Sequence, residues 1–167
     1  GVLEITGQIA VVPPYFENFG KRLLKSPKIY WLDSGLACHL LGIHSRAELE
    51  RSPFLGPIWE GFVASEILKT QTNLGRRREL YCFRDQQGLE VDFLVPAPNA
   101  RIHLLEAKAT RTATPAMAGP LRSLAQTLGK KAASVTLLPR LKAPPATRAI
   151  APGVTLRTLP EFVASLG

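Results

Sequence analysis

Two hydrophobic segments near the middle of the chain carry charges that a buried strand has no use for. Glu90-Val91-Asp92-Phe93-Leu94-Val95 is followed, after Pro96-Ala97-Pro98-Asn99-Ala100, by Ile102-His103-Leu104-Leu105-Glu106-Ala107-Lys108. Apolar runs of this length, separated by a Pro- and Asn-rich turn, predict two strands that are hairpin neighbours. Side chains alternate along a strand, so Asp92 is expected on one side, Val91 and Phe93 on the other. Glu106 and Lys108 are expected to share a face. Unpaired burial of such groups costs several kcal/mol each, so they must reach solvent or hold something charged. Glu90 adds a further charge beside Asp92. The plain alternative is an exposed strand face with a cross-strand ion pair. The apolar flanks Leu89, Val91, Phe93, Leu104 and Leu105 favour a central hairpin instead.

Carboxylate oxygens with free access for water suit Mg²⁺ or Mn²⁺, whereas Zn²⁺ asks for His or Cys. A lysine one strand pitch from a metal-binding glutamate can hold an attacking water or offset charge on a phosphorane. A third carboxylate is expected from the helix predicted around Trp59, Phe62, Val63, Glu66 and Ile67, with Pro57 near its first turn. Glu60 lies near the N-terminal end of that helix, where its dipole favours an anion. Glu66, further along, is the weaker choice.

A helical Glu60, then Asp92 on a strand, then Glu106-Ala107-Lys108 on the next, resembles the PD-(D/E)XK, or restriction-endonuclease-like, nuclease superfamily. Val91 stands where many members have proline, a departure that leaves the carboxylate untouched. The resemblance implies a site in which Asp92, Glu106, the Ala107 carbonyl and Glu60 hold Mg²⁺ or Mn²⁺ and Lys108 orients water. A narrower resemblance runs through Val12-Pro13-Pro14-Tyr15, Asn18 to Leu23, Lys25 to Tyr30, Asp33 to Leu36 and Trp59 to Val63. These residues look like the uncharacterised C-terminal domain that follows an AAA-type ATPase module in many bacterial and archaeal proteins. That implies a parent ATPase as partner, and a remnant of a winged-helix module at residues 1–30.

The remaining pattern predicts an α/β fold. Residues 1–12 are expected to form one or two short strands, and Leu36 to Gly42 a short helix that Asp33 introduces and glycine ends. The Trp59 helix is expected to stop near Asn73-Leu74-Gly75. Strands Leu80 to Arg84, Leu89 to Val95 and Ile102 to Ala109 follow. A helix is expected from Pro115 to Leu128, kinked near Gly119-Pro120. Strands Ala133 to Leu138 and Val154 to Thr158 and a final helix from Pro160 complete the order, with a surface loop from Pro139 to Thr147. This αβββαβ order implies a restriction-endonuclease-like mixed sheet flanked by helices, over residues 31–167, after a β/loop appendage at 1–30.

The chain has 167 residues, with 21 Lys and Arg against 13 Asp and Glu, a net charge of +8 that favours polyanions, nucleic acid above all. Lys21, Arg22, Arg76, Arg77, Arg78 and Arg84 are the candidate contacts to DNA. The alternative for them is a solvated or aromatic-packed basic surface. No apolar run is long enough to span a membrane, and no signal peptide is visible, so a cytoplasmic protein is expected. The start at Gly1-Val2 suggests a piece of a longer chain. Cys38 and Cys82 lack metal or redox spacing, and His39, His44 and His103 are scattered. Gly20-Lys21 and Gly129-Lys130 are not followed by Ser or Thr, which excludes a Walker A loop, and no Gly-x-Ser-x-Gly elbow occurs. Two functions follow as expectations: a metal-dependent DNA phosphodiesterase, or a non-catalytic binding module of the same fold.

Overall fold

A computed structural model describes residues 1–15 and 26–167. The chain opens with a short helix α1 (Val2–Ile5), a strand β1 (Ile9–Val12) and its antiparallel partner β2 (Lys28–Trp31). Helices α2 (Ser34–Leu40), α3 (Arg46–Arg51) and α4 (Leu55–Asn73) follow. Strands β3 (Tyr81–Arg84), β4 (Glu90–Ala97) and β5 (Arg101–Lys108) come next. After a 3₁₀ turn at Pro115–Ala118, helix α5 (Gly119–Leu128) leads to β6 (Ala132–Pro139), β7 (Ala149–Ala151), β8 (Val154–Leu156) and α6 (Leu159–Ala164).

The strands from β3 onward form one six-stranded mixed sheet in the order β3-β4-β5-β6-β8-β7. β3, β4 and β5 run antiparallel, while β5, β6 and β8 are parallel neighbours; α5 supplies the crossover from β5 to β6, and the segment containing β7 links β6 to β8. Period-two alternation buries both faces. Phe93, Val95, Leu105, Ala107 and Leu138 pack under Val63, Ala64 and Ile67 of α4 and Leu159 and Phe162 of α6. Leu94, Ile102, Leu104 and Leu137 pack against Leu121, Leu124 and Leu128 of α5. The fold is thus a mixed α/β sheet covered by helices on both sides, and from α4 to β6 the elements follow the expected order.

The β1–β2 hairpin is bound into this body. Its continuation bridges Pro14 to Cys82 of β3, with the Tyr15 N–H donating to the Cys82 carbonyl at 2.7 Å and the Cys82 N–H to Pro13 at 3.0 Å. Ala10, Val12 and Tyr30 join the core beneath α4. The contact with α4 is close: a Cβ on Gly61 would lie 2.9 Å from the Trp31 carbonyl oxygen, which only glycine avoids. Trp59 Nε1 donates to the Leu138 carbonyl at 3.3 Å, tying the start of α4 to β6.

Several expectations need correction. Val2–Ile5 is helical where a strand was expected, and the division placed between residues 30 and 31 passes through β2. The six-residue α3 and three-residue β7 were not anticipated, although Ser45 and Glu48 form an S-x-x-E pair whose hydroxyl accepts the Glu48 N–H at 3.2 Å. The buried side of α4 runs through Val63, Ala64, Ile67 and Leu68, while Phe62 is exposed. Val91 and Phe93 do not share a face. Tyr81 pairs with Leu94 but Phe83 pairs with Val91, so β4 spends three residues where β3 spends two. This β-bulge reverses the alternation: Val91 joins the α5 side and Phe93 the α4 side.

Candidate carboxylate and lysine site

The bulge places Asp92 at the point where β4 and β5 separate. Their register runs from Ala97↔Arg101 to Phe93↔Leu105 and stops there. One residue further, Asp92 and Glu106 face each other, and each carboxylate takes a backbone amide. Ala107 N–H donates to Asp92 Oδ2 at 3.0 Å, and Asp92 N–H donates to Glu106 Oε2 at 3.3 Å. Both residues are 5% exposed, so these bonds and their cationic partners are what make the burial tolerable. Lys108 Nζ donates to Glu106 Oε1 at 2.7 Å.

Glu60 reaches the same place from the first turns of α4. Its Oε2 accepts from the Tyr30 hydroxyl at 3.2 Å and lies 3.6 Å from Lys28 Nζ. Lys28 is the hub of this side: its ammonium is 2.9 Å from Asp92 Oδ1 and 2.6 Å from Glu90 Oε1. Arg84 closes the edge, 3.5 Å from Glu90. The structure therefore brings together Glu60, Asp92, Glu106, Ala107, Lys108 and Arg84. A cleft of about 470 Å³, walled by Trp31, Leu41 and Phe54 among others, opens beside Lys28, Tyr30 and Glu60.

Burial and the neighbouring Asp92 charge push the Glu106 carboxyl up to about 7, against the pull of Lys108. Glu60 is raised by the same two causes, in that order. Burial works against the Lys28 charge, yet Asp92 and Glu90 outweigh it and hold the ammonium well above the ordinary lysine range. Lys108 is likewise raised, its pairing with Glu106 exceeding the burial penalty. Burial raises the Tyr30 hydroxyl, which stays neutral and donates to Glu60.

The donor set is hard: carboxylate oxygens and the Ala107 carbonyl, a chemistry that suits Mg²⁺ or Mn²⁺. Among the described residues no three Asp, Glu, His or Cys side chains form a ready cage for a metal. The space between Asp92, Glu90 and Glu60 is bridged by the Lys28 ammonium.

Other candidates lie elsewhere. Glu66 pairs with Lys69 at 3.0 Å, six residues and roughly 9 Å along α4 from Glu60. Arg76, Arg77 and Arg78 precede β3 at the opposite end of the sheet. Arg76 and Arg77 line a recess with Val95 and Pro96, and the Arg76 guanidinium bonds the Leu166 carbonyl. They are not brought to the carboxylates. Lys21 and Arg22 lie outside the described residues. Sequence reasoning did not single out Lys28 or Tyr30 as part of the site. The signal was present in the alternation of β2, where the buried Tyr30 and Lys28 share a face and Ile29 is exposed. Among the described residues no helix is long and apolar enough to cross a membrane.

No solved structure matches the chain. Over 110 residues, 66% of this chain, it is 44% identical to the uncharacterised protein Rv2008c of Mycobacterium tuberculosis and equally to the uncharacterised protein Mb2031c of Mycobacterium bovis. The match spans 23% of the length of each of these relatives. Residues 1–47 match a domain of unknown function, DUF8612. Residues 55–155, which contain α4, the β3–β5 strands, α5 and β6, match the domain of unknown function DUF4143, and the chain belongs to that family.

Proposed function

We propose that the carboxylate cluster is the active centre of a metal-dependent phosphodiesterase acting on DNA, within a nuclease-like domain of a longer, ATPase-containing protein. The observation that carries this reading is the meeting of Asp92 and Glu106 at the parting of β4 and β5, with Lys108 bonded to Glu106. The order α4, β3-β4-β5, α5, β6 supports a restriction-endonuclease-like core. The net charge of +8 supports a polyanionic substrate.

On this reading Asp92, Glu106, Glu60 and the Ala107 carbonyl would hold Mg²⁺ or Mn²⁺, which supplies charge neutralisation and an acidified water. The chain's own residues do the positioning. Lys108, anchored by Glu106, aims its ammonium at the attacking water and offsets charge on the phosphate. Asp92 is locked by the Ala107 N–H, so its free lone pairs keep one direction. Arg84, at the rim beside Glu90, can meet a flanking phosphate. The bulge in β4 gives all of this its geometry, because it brings Asp92, with Glu90 two residues before it, to the same side of the sheet as Phe93, where Lys28 and Glu60 lie.

The test is incubation of the purified chain with supercoiled, linear and branched DNA, with Mg²⁺, Mn²⁺ or chelator. Cleavage should require the metal, and Lys108→Ala should lower its rate at least about 100-fold, the scale of removing one positioned electrostatic group, with the fold intact by circular dichroism. A second reading, a non-catalytic DNA-binding module, is favoured by the lysine bridge across Glu60, Glu90 and Asp92. It predicts no cleavage with any metal, and weaker DNA binding in Lys21→Glu or Arg77→Glu.

A further inference from the structure

Lys28 does something that a surface lysine does not. Its ammonium sits 2.6 Å from Glu90, 2.9 Å from Asp92 and 3.6 Å from Glu60, three carboxylates from two different elements. Its side chain is only 24% exposed. The other groups facing it are the neutral Tyr30 hydroxyl, Arg84 behind Glu90, and the buried thiol of Cys82. An ammonium in that position supplies the positive charge that faces Asp92 and Glu60, while Lys108 and Arg84 serve Glu106 and Glu90.

Resting on the metal-dependent reading above, we infer that Lys28 is a tethered counter-cation that occupies the divalent ion's place, and that metal binds by displacing it. Asp92 Oδ1 is the contested atom, since Oδ2 is engaged by the Ala107 N–H. A divalent ion needs oxygens at about 2.0–2.1 Å, for Mg²⁺, in near-octahedral array. It cannot share Asp92 Oδ1 with an ammonium without strong like-charge repulsion. The ammonium is placed to leave. Val12↔Lys28 is the last pair of the β1–β2 ladder, residues 26 and 27 before it belong to no helix or strand, and both are exposed. Lys28 reaches the cluster on a flexible four-carbon stem, so it can swing outward with little disturbance of β2. While it is in place, the ammonium bridges Asp92 and Glu90 and offsets their charge.

The experiment is calorimetric titration of Mn²⁺ into the wild-type chain, Lys28→Met and Lys28→Gln, with melting curves confirming that at least one variant is folded. Removal of the competing cation should tighten Mn²⁺ binding at least tenfold, and Asp92→Asn added to the same variant should abolish it. Wild-type affinity equal to or tighter than that of the folded variant would overturn the inference while leaving metal-dependent catalysis standing. Absence of Mn²⁺ binding in every form would overturn both. Tighter binding in the variant with no DNA cleavage in any form would support the lysine's role and reject the hydrolase. A readout on the unmodified chain is lysine acylation footprinted by mass spectrometry. Lys28 labelling should rise severalfold on saturation with Mg²⁺, and unchanged labelling would overturn the displacement.

Discussion

At one end the β4–β5 pair runs regularly, with Leu94 opposite Leu104, Val95 opposite His103 and Pro96 opposite Ile102, and its faces are sealed by α4, α6 and α5. At the other end, one residue past Phe93↔Leu105, the same two strands part and their amides turn to carboxylates instead of to each other. The first end is held by apolar burial, which is nondirectional and tolerant. The second is held by charge-assisted bonds, each of which has one geometry. The sheet interior carries Asp92 and Glu106 here because amides freed from the ladder and two lysine ammoniums partner their oxygens.

The contrast is sharpest under mutation. Leu94 is fully buried against the α5 side, so Leu94→Ala should cost about 2–5 kcal/mol in urea unfolding while leaving metal affinity unchanged in molecules that remain folded. A pH dependence belongs to the charged end. The Glu106 carboxyl is raised from 4.5 to about 7 in the folded state. Its contribution to stability is therefore full below about pH 4.5 and is lost as pH rises through 7. For this one group the loss is on the order of 3 kcal/mol at most. In chelator, the wild-type stability should fall between pH 5 and 8 relative to that of Glu106→Gln, and a flat difference would remove the desolvated carboxyl from the account. Arg77→Glu should have the smallest effect, within about 0.5 kcal/mol on stability, and none on metal affinity, because the arginine run lies at the regular end.

Much of this was legible in the residues. Apolar alternation marks β4 and β5, Gly119-Pro120 marks the change from 3₁₀ turn to α5, and Pro160 marks the first turn of α6. What escaped has physical reasons. Val2–Ile5 has the same apolar content as a strand, and four residues are too few for a period to declare itself. The bulge depends on how β3 pairs with β4, a long-range matter that the local pattern does not contain. Asp92, Glu106, Lys108 and Glu60 were visible because charge inside apolar segments needs a partner. Lys28 was obscured by the basic residues around it in sequence, Lys21, Arg22 and Lys25, and only the docking of the β1–β2 hairpin beside β3 turns it inward.

The most direct measurement is the anomalous scattering of Mn²⁺ soaked into crystals of the chain. A peak bridging the carboxylates of Asp92 and Glu106, with Glu60 within reach and the Lys28 ammonium moved away from Asp92, is the predicted result. Saturating Mn²⁺ that leaves this point without a peak, and the Lys28–Asp92 contact intact, would contradict the account.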